Sequence, residues 1–224
     1  MKTRKGLTFW MNIPSLHQAD MITCLGDLWD GPVSIVTEHE LYKKRIKQGW
    51  TVPDFGKAEL LVAPNTATRD AIVATNNCQQ SLHVFCGLSA YPNNYKTLKK
   101  LRNTPAKIGL FAEGAKSLGL PRTLAKWVNY RRHALVWGSR MDFVMGTGQT
   151  AVDWYRKAGF DKSKLFEFGY FVDTFRNEKS KPVSPEAKFR IIYVGVQSKM
   201  KGVDILINSL VRISNLPWLS LIHI

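Results

Sequence analysis

The sequence predicts an α/β protein built on a doubly wound, mostly parallel sheet. Three observations predict it. Short apolar runs rich in β-branched and aromatic residues recur along the chain. They alternate with segments whose apolar residues fall at helical spacing. Glycine, proline and polar residues punctuate the joints between them. Alternation of this kind is the pattern of a parallel sheet with helices on its faces. Ligands of such sheets lie beyond the carboxyl ends of the strands, so the residues directly after each strand carry the most weight.

Taken in order, residues 7–13 form the first predicted strand. Pro14, Ser15, Leu16, His17 and Gln18 connect it to a helix over 19–28, which Ser15 could cap. Gly31 and Pro32 turn the chain into a second strand, 33–37, ended by Glu38 and His39. A basic helix over 41–48 stops at Gly49. The third strand is 59–63, followed by a short helix over 68–75. The fourth strand, 81–86, ends at Gly87, and a strongly basic helix covers 95–102. The fifth strand, 107–112, ends at Glu113 and Gly114. Residues 118–135 are helical after Pro121 and carry Arg122, Lys126, Arg131 and Arg132. The sixth strand, 142–145, is closed by Gly146, Thr147 and Gly148.

The most helix-like segment follows, GQTAVDWYRKAGF. It places Ala151, Trp154, Tyr155 and Ala158 on one face, with Gly159 as a natural stop. The seventh strand is 165–168. Residues 177–188 hold two prolines, two serines and several charges with no large apolar residue except Val183, the composition of a linker.

Beyond the linker, FRIIYVGVQSKMKGVDILINSL begins with an apolar run that predicts a buried strand ended by Gly195. A polar loop carries Lys199 and Lys201. Gly202 then opens a helix with Val203, Leu206, Ile207, Leu210 and Val211 at helical spacing. A strand, a basic loop and a helix N-terminus together predict an anion site. Free backbone N–H groups and the positive end of the helix dipole meet there, and a lysine adds a full charge.

Composition sets the outer bounds. The 224 residues have room for one sizeable domain and part of another. No apolar run approaches the length of a membrane span. The basic start, MKTRKGLTFWMNIPSL, is broken by Asn12 and Pro14 and lacks a small-residue cleavage site, so a first strand is the better reading than a secretory signal. The net charge of +15 points to an anionic partner: a phospholipid surface, a nucleic acid or a phosphorylated substrate. Cys24, Cys78 and Cys86 are odd in number without metal-type spacing, and read as reduced, mostly buried thiols of a cytoplasmic protein. The sequence has no HExxH, Walker loop, serine elbow or zinc spacing. Gly146-Thr147-Gly148 is only a fragment of a dinucleotide fingerprint.

Two motifs resemble the family-4-like (group 1) glycosyltransferases of the GT-B fold. Val194, Gly195, Lys201, Gly202, Val203, Asp204, Leu206 and Ile207 follow the pattern VGRxxxxKG-[VI]-D-x-[LI]-[IL] that opens the donor domain of that family. Tyr155, Lys157, Gly159, Lys164, Gly169, Val172, Asp173 and Phe175 match the layout that closes its first domain. The order of the motifs and the short linker between them agree with the family. One position departs from it: Val196 stands where the family has a phosphate-binding Arg.

The resemblance implies two Rossmann-like domains. Residues 1–176 would form the acceptor-side domain, 177–188 the interdomain linker and 189–218 the first piece of the nucleotide-sugar domain. The tail 219–224, LSLIHI, is also the translation of a sequencing-library transposon end, CTGTCTCTTATACACATC. On that reading it is a non-native, adaptor-derived tail on a truncated chain, inactive by itself.

By resemblance, the whole enzyme moves a sugar from a nucleoside-diphosphate sugar to a saccharide or lipid-linked acceptor. It retains the anomeric configuration, serves cell-surface polysaccharide or glycoconjugate synthesis, and uses no cofactor or metal. Gly195, Lys199, Lys201 and Gly202 would bind the donor. Glu113 and His17 are the candidate catalytic residues, with Gln18, His39 and Tyr91 for the acceptor. His133 reads as structural. The basic helices 95–102 and 118–135 would touch the anionic inner face of a membrane. The alternative is a basic module that binds nucleic acid or anionic membrane without catalysis; it shows no RNP, KH or helix-turn-helix pattern.

Overall fold

In a computed structural model of the chain, residues 5–115, 120–171, 189–195, 199–215 and 218–223 are described. The chain divides into two compact units, Met1–Thr174 and Phe175–Ile224.

The first unit is a seven-stranded sheet of β1 (Leu7–Trp10), β2 (Val33–Thr37), β3 (Glu59–Val62), β4 (Leu82–Cys86), β5 (Lys107–Ala112), β6 (Phe143–Thr147) and β7 (Leu165–Phe168). The strand order is β3-β2-β1-β4-β5-β6-β7, and every pairing is parallel. The order reverses between β1 and β4. At β1 all four residues are buried, as a central strand demands, whereas the edge strands β3 and β7 are half exposed.

The helices are α1 (Leu16–Leu28), α2 (Lys43–Lys47), α3 (Thr66–Ala74), α4 (Asn76–Gln80), α5 (Pro92–Leu101), α6 (Leu120–Trp137) and α7 (Gln149–Ala158). Crossovers that step outward from β1 in opposite directions put their helices on opposite faces when all are right-handed. The two cores follow this rule. Trp10, Val36, Phe85, Leu110 and Val144 pack with Leu98, Trp137 and Tyr155 from α5, α6 and α7. Phe9, Ile35, Val84 and Phe111 face the other way, toward Ala19 and Ile22 of α1 and toward Phe55 and Ala58.

Three elements differ from expectation. The first helix starts at Leu16, so His17 and Gln18 lie in its first turn rather than in a connecting loop. Ser15 occupies the cap position, but its hydroxyl makes no capping bond. The sequence reading also lacks α4, whose residues NNCQQ have no apolar periodicity; Thr75 starts it by accepting a bond from the Cys78 amide at 3.2 Å. Gly146 and Thr147, expected in a closing turn, belong to β6. Cys24 is exposed rather than buried.

The second unit holds β8 (Phe189–Val194), a 3-10 turn over Lys199–Lys201, α8 (Val203–Arg212) and β9 (Trp218–His223). β8 and β9 pair in parallel over all six residues, Phe189 against Trp218 through Val194 against His223. The single strand and helix expected here are therefore joined by a second strand, which takes in most of the stretch read as a tail. The linker over 177–188 lies outside the described residues.

Candidate functional site at the carboxyl edge of the sheet

The residues after β1, β2, β4, β5 and β7 converge on one edge of the first unit. Tyr170, two residues past β7, donates its hydroxyl to Glu113 Oε1 at 3.3 Å, just past β5. His17, on the first turn of α1, lies with its ring centroid 5.6 Å from Tyr170 and 5.8 Å from Trp50. Arg45 stacks its guanidinium 4.3 Å over Trp50. Phe111 meets Tyr170 edge-on at 5.7 Å and Phe168 at 5.5 Å. A run of rings thus crosses the edge, with the carboxylate of Glu113 and the imidazole of His17 set among them. A few polar groups on an aromatic wall is the usual constitution of a small-molecule site.

Each of the other predicted acceptor residues has a definite place. Gln18 is buried, and its Oε1 accepts from Cys86 Sγ at 3.6 Å. Burial pushes the Cys86 thiol up to about 12, so it stays protonated and serves as that donor. Tyr91 precedes α5; burial raises its phenol first, and then the nearby Cys86, Tyr42 and Glu113. His39 stands 5.3 Å from Tyr42, ring to ring, on the rim after β2. Tyr170 is raised to about 12, by burial first and then by the Glu113 charge. His17, Glu113 and Tyr91 are therefore brought to one edge, with Gln18 forming its floor and His39 its rim.

Sequence reasoning missed Tyr170, Trp50 and Arg45, which reach the edge only through tertiary packing. It also missed the brace behind the edge. Arg69, 1% exposed, donates to Ala63 O at 3.0 Å and to Asn94 Oδ1 at 2.6 Å, and Asn94 donates to Trp10 O at 3.2 Å. Asn93 donates to Glu38 at 2.7 Å. These bonds tie the ends of β1, β2 and β3 to the start of α5. Burial lowers the Arg69 guanidinium, and the charge on Glu38 partly restores it.

The predicted donor residues lie in the second unit. Gly195 follows β8, and Lys199 and Lys201, both exposed, occupy the 3-10 turn leading to α8. Gly202 caps α8 with φ of 70°, a conformation that favours glycine. Asp204 adds a negative charge to the first turn, so the two lysines set the positive balance there. Val196 lies outside the described residues.

Several motif residues shared with the glycosyltransferase pattern turn out to hold the fold. Tyr155 is buried against Tyr130 and Phe160. Gly159 ends α7 in the left-handed conformation at φ of 99°. Lys164 donates to the carbonyls of Gly138, Ser139 and Met141 at 3.2, 3.2 and 2.7 Å, closing the chain after α6. His133 is buried on α6, with Nε2 3.0 Å from Ser89 Oγ.

An open depression of about 350 Å³ lies at the opposite, amino-terminal edge, bordered by Trp29, Leu82 and Phe143. Its charged border, Lys107 and Asp142, is already paired at 2.8 Å. The carboxyl edge, where titratable groups converge at the strand-order reversal, is the better candidate. Among the described residues, no group of three His, Cys, Asp or Glu could hold a metal ion.

Comparison with known proteins shows a likeness in fold. The chain is similar in structure to UDP-N-acetylglucosamine 2-epimerase from Rickettsia bellii, with a TM-score of 0.51 and 11% identity over 98% of this chain and 62% of that one. It is also similar to the glycotransferase of kitacinnamycin, with a TM-score of 0.49 and 11% identity over 99% of this chain and 66% of that one. The fold resembles a GT-B domain. This chain thus spans under two thirds of the length of the epimerase and about two thirds of the glycotransferase. No family model and no curated protein sequence matches it.

Proposed function

We propose that the chain is part of a nucleotide-sugar-dependent glycosyltransferase, with the acceptor seated at the carboxyl edge of the first unit. The observation that carries this reading is the meeting of His17, Tyr170 and Glu113 beside the strand-order reversal. Glu113 would accept the hydrogen of an acceptor hydroxyl and draw off its proton as the glycosidic bond forms. Its exposure leaves it open to substrate. The ring wall of Trp50, His17 and Tyr170 would exclude water from one face of the acceptor.

The departing diphosphate needs positive charge rather than a proton. Lys199, Lys201 and the first amides of α8 would supply it as electrostatic stabilisation of the leaving group. The two motifs shared with family-4-like enzymes support retention of configuration and a role in cell-surface polysaccharide or glycoconjugate synthesis. The likeness in fold to an enzyme named for UDP-N-acetylglucosamine supports a nucleotide-sugar as the ligand class.

Calorimetric titration of the chain with uridine, guanosine and adenosine diphosphates tests the donor half. One of them binds, and Lys201→Ala weakens it roughly tenfold, the loss of one charge-assisted contact. Radiolabelled transfer by the full-length protein tests the acceptor half, where Glu113→Gln abolishes transfer while leaving diphosphate binding intact. Absence of binding by all three diphosphates sinks the reading. The second reading, a basic binding module without catalysis, is favoured by the concentration of positive charge on the α5–α6 side and predicts that result.

A further inference from the structure

We propose that α6 is a docking face for an anionic lipid membrane. Leu124, Trp127, Val128, Arg131 and Leu135 fall at helical spacing along one line of this helix, and all are exposed. Leu124 is 61% exposed and Leu135 80%. The opposite line, Ala134, Trp137 and His133, is buried in the core. The outward stripe is therefore not needed for folding, yet it carries the apolar residues that a solvated helix face normally lacks. Trp127 is half exposed under the guanidinium of Arg131, 5.5 Å from its ring.

Charge selects the occupant. Between Asp70 and Asp142 the sequence carries one acidic residue, Glu113, against eleven lysines and arginines. Neither α5 nor α6 contains an acidic residue. Arg132 flanks the stripe on α6. On α5, Lys96 and Lys99 are exposed, and Arg102 just after it donates to Val136 O of α6. An apolar line with a tryptophan, on a helix that carries arginines and no acidic residue, matches the boundary between acyl chains and anionic headgroups. A second copy of the chain would bring like charges together. A nucleic acid would leave Leu124, Val128 and Leu135 with nothing to contact. The helix lies on the surface rather than crossing it: among the described residues, no helix is long and apolar enough to span a membrane. At about 1.5 Å per residue its 18 residues run roughly 27 Å along the plane.

Co-sedimentation of the chain with vesicles tests this, using phosphatidylcholine alone and phosphatidylcholine with one third phosphatidylglycerol. The chain pellets with the anionic vesicles only. Arg131→Gln with Arg132→Gln weakens binding roughly fivefold per charge at low salt. Leu124→Ser with Leu135→Ser weakens it at least tenfold, with circular dichroism and melting unchanged because both side chains are exposed. Brominated acyl chains quench fluorescence in the parent and not in Trp127→Phe. Equal pelleting with both vesicles, pelleting unchanged by the two serines, or a self-association that the serines abolish would overturn the proposal. So would duplex DNA binding that competes with vesicles and ignores the serine substitutions. The substitutions on this face leave Glu113 and Lys201 in place, so this outcome is read separately from sugar transfer and from diphosphate binding.

Discussion

Tyr170 donates its phenolic hydrogen to Glu113, so the residue that follows β7 fixes the carboxylate that follows β5. The bond spans the strand between them, β6, and sets which oxygen of Glu113 remains open to a ligand. Burial and the Glu113 charge both hold the Tyr170 phenol up, at about 12. In Glu113→Gln the charge is gone and burial remains. The Tyr170 pKa then falls toward, but not to, the ordinary value near 10. Absorbance titration near 295 nm, compared with Tyr170→Phe to isolate this phenol, reads the change. A pKa that does not move would break the link between the two residues.

His83 supplies a pH dependence of stability. It is buried between Trp10 and Cys78: Trp10 Nε1 donates to its Nδ1 at 2.9 Å, and its Nε2 lies 2.7 Å from Cys78 O. One nitrogen accepts and the other donates, which is the neutral ring. Burial pushes its pKa down to about 4, from an ordinary 6.5. Below 6.5 the unfolded chain therefore binds the proton more readily than the folded one. The stabilisation is complete above pH 6.5 and is lost as pH falls to about 4. It amounts to about 3 kcal/mol at 1.36 kcal/mol per unit. Urea denaturation between pH 4 and 7 shows this slope in the parent, and His83→Gln flattens it.

Arg140 closes the joint between α5 and β5. Its guanidinium donates to the carbonyls of Arg102, Leu101, Thr104 and Ala106, at 2.6, 3.3, 3.2 and 2.7 Å. Asp142 sits 3.6 Å from it and also receives the Ile108 amide at 2.8 Å. Arg140→Ala removes this shared donor, although Leu101 O keeps the Thr104 amide and hydroxyl as partners, and costs about 3 kcal/mol. Arg140→Lys recovers under half of that, because an ammonium cannot reproduce the planar fork. Chemical denaturation of both variants checks the ratio.

Gly109 is required by Phe143. A Cβ on Gly109 would fall within the Phe143 ring, which lies flat over the paired strand. Gly109→Ala forces that ring outward and costs about 1–3 kcal/mol. Phe143→Leu in the same chain relieves the clash, so the double variant is more stable than the sum of the single losses predicts. A double-mutant cycle measures the coupling.

The strands were legible because each is a short run made mostly of apolar residues and followed by a stop signal. The fifth and seventh have the expected ends, 107–112 and 165–168. Helix starts were less legible. His17 and Gln18 look like loop residues because they are polar, yet Ala19 and Ile22 behind them are pulled into the core and draw the turn into α1. Glu113 and Tyr91 were visible as residues beside strand or helix ends. Tyr170, Trp50 and Arg69 were not, because their partners lie far away in sequence: the Arg69–Asn94 bond joins residues 25 apart, and the Tyr170–Glu113 bond residues 57 apart. Local pattern has no access to contacts of that range.

Lys164, clasping three carbonyls beyond α6, changes what the shared motif means. A lysine that finishes a helix does the same job whatever reaction the protein runs. Resemblance carried by such joinery can therefore outlive a change of substrate, or the loss of turnover altogether. Lineage and chemistry are then recorded in different residues, the first at the seams of the architecture and the second along its rim.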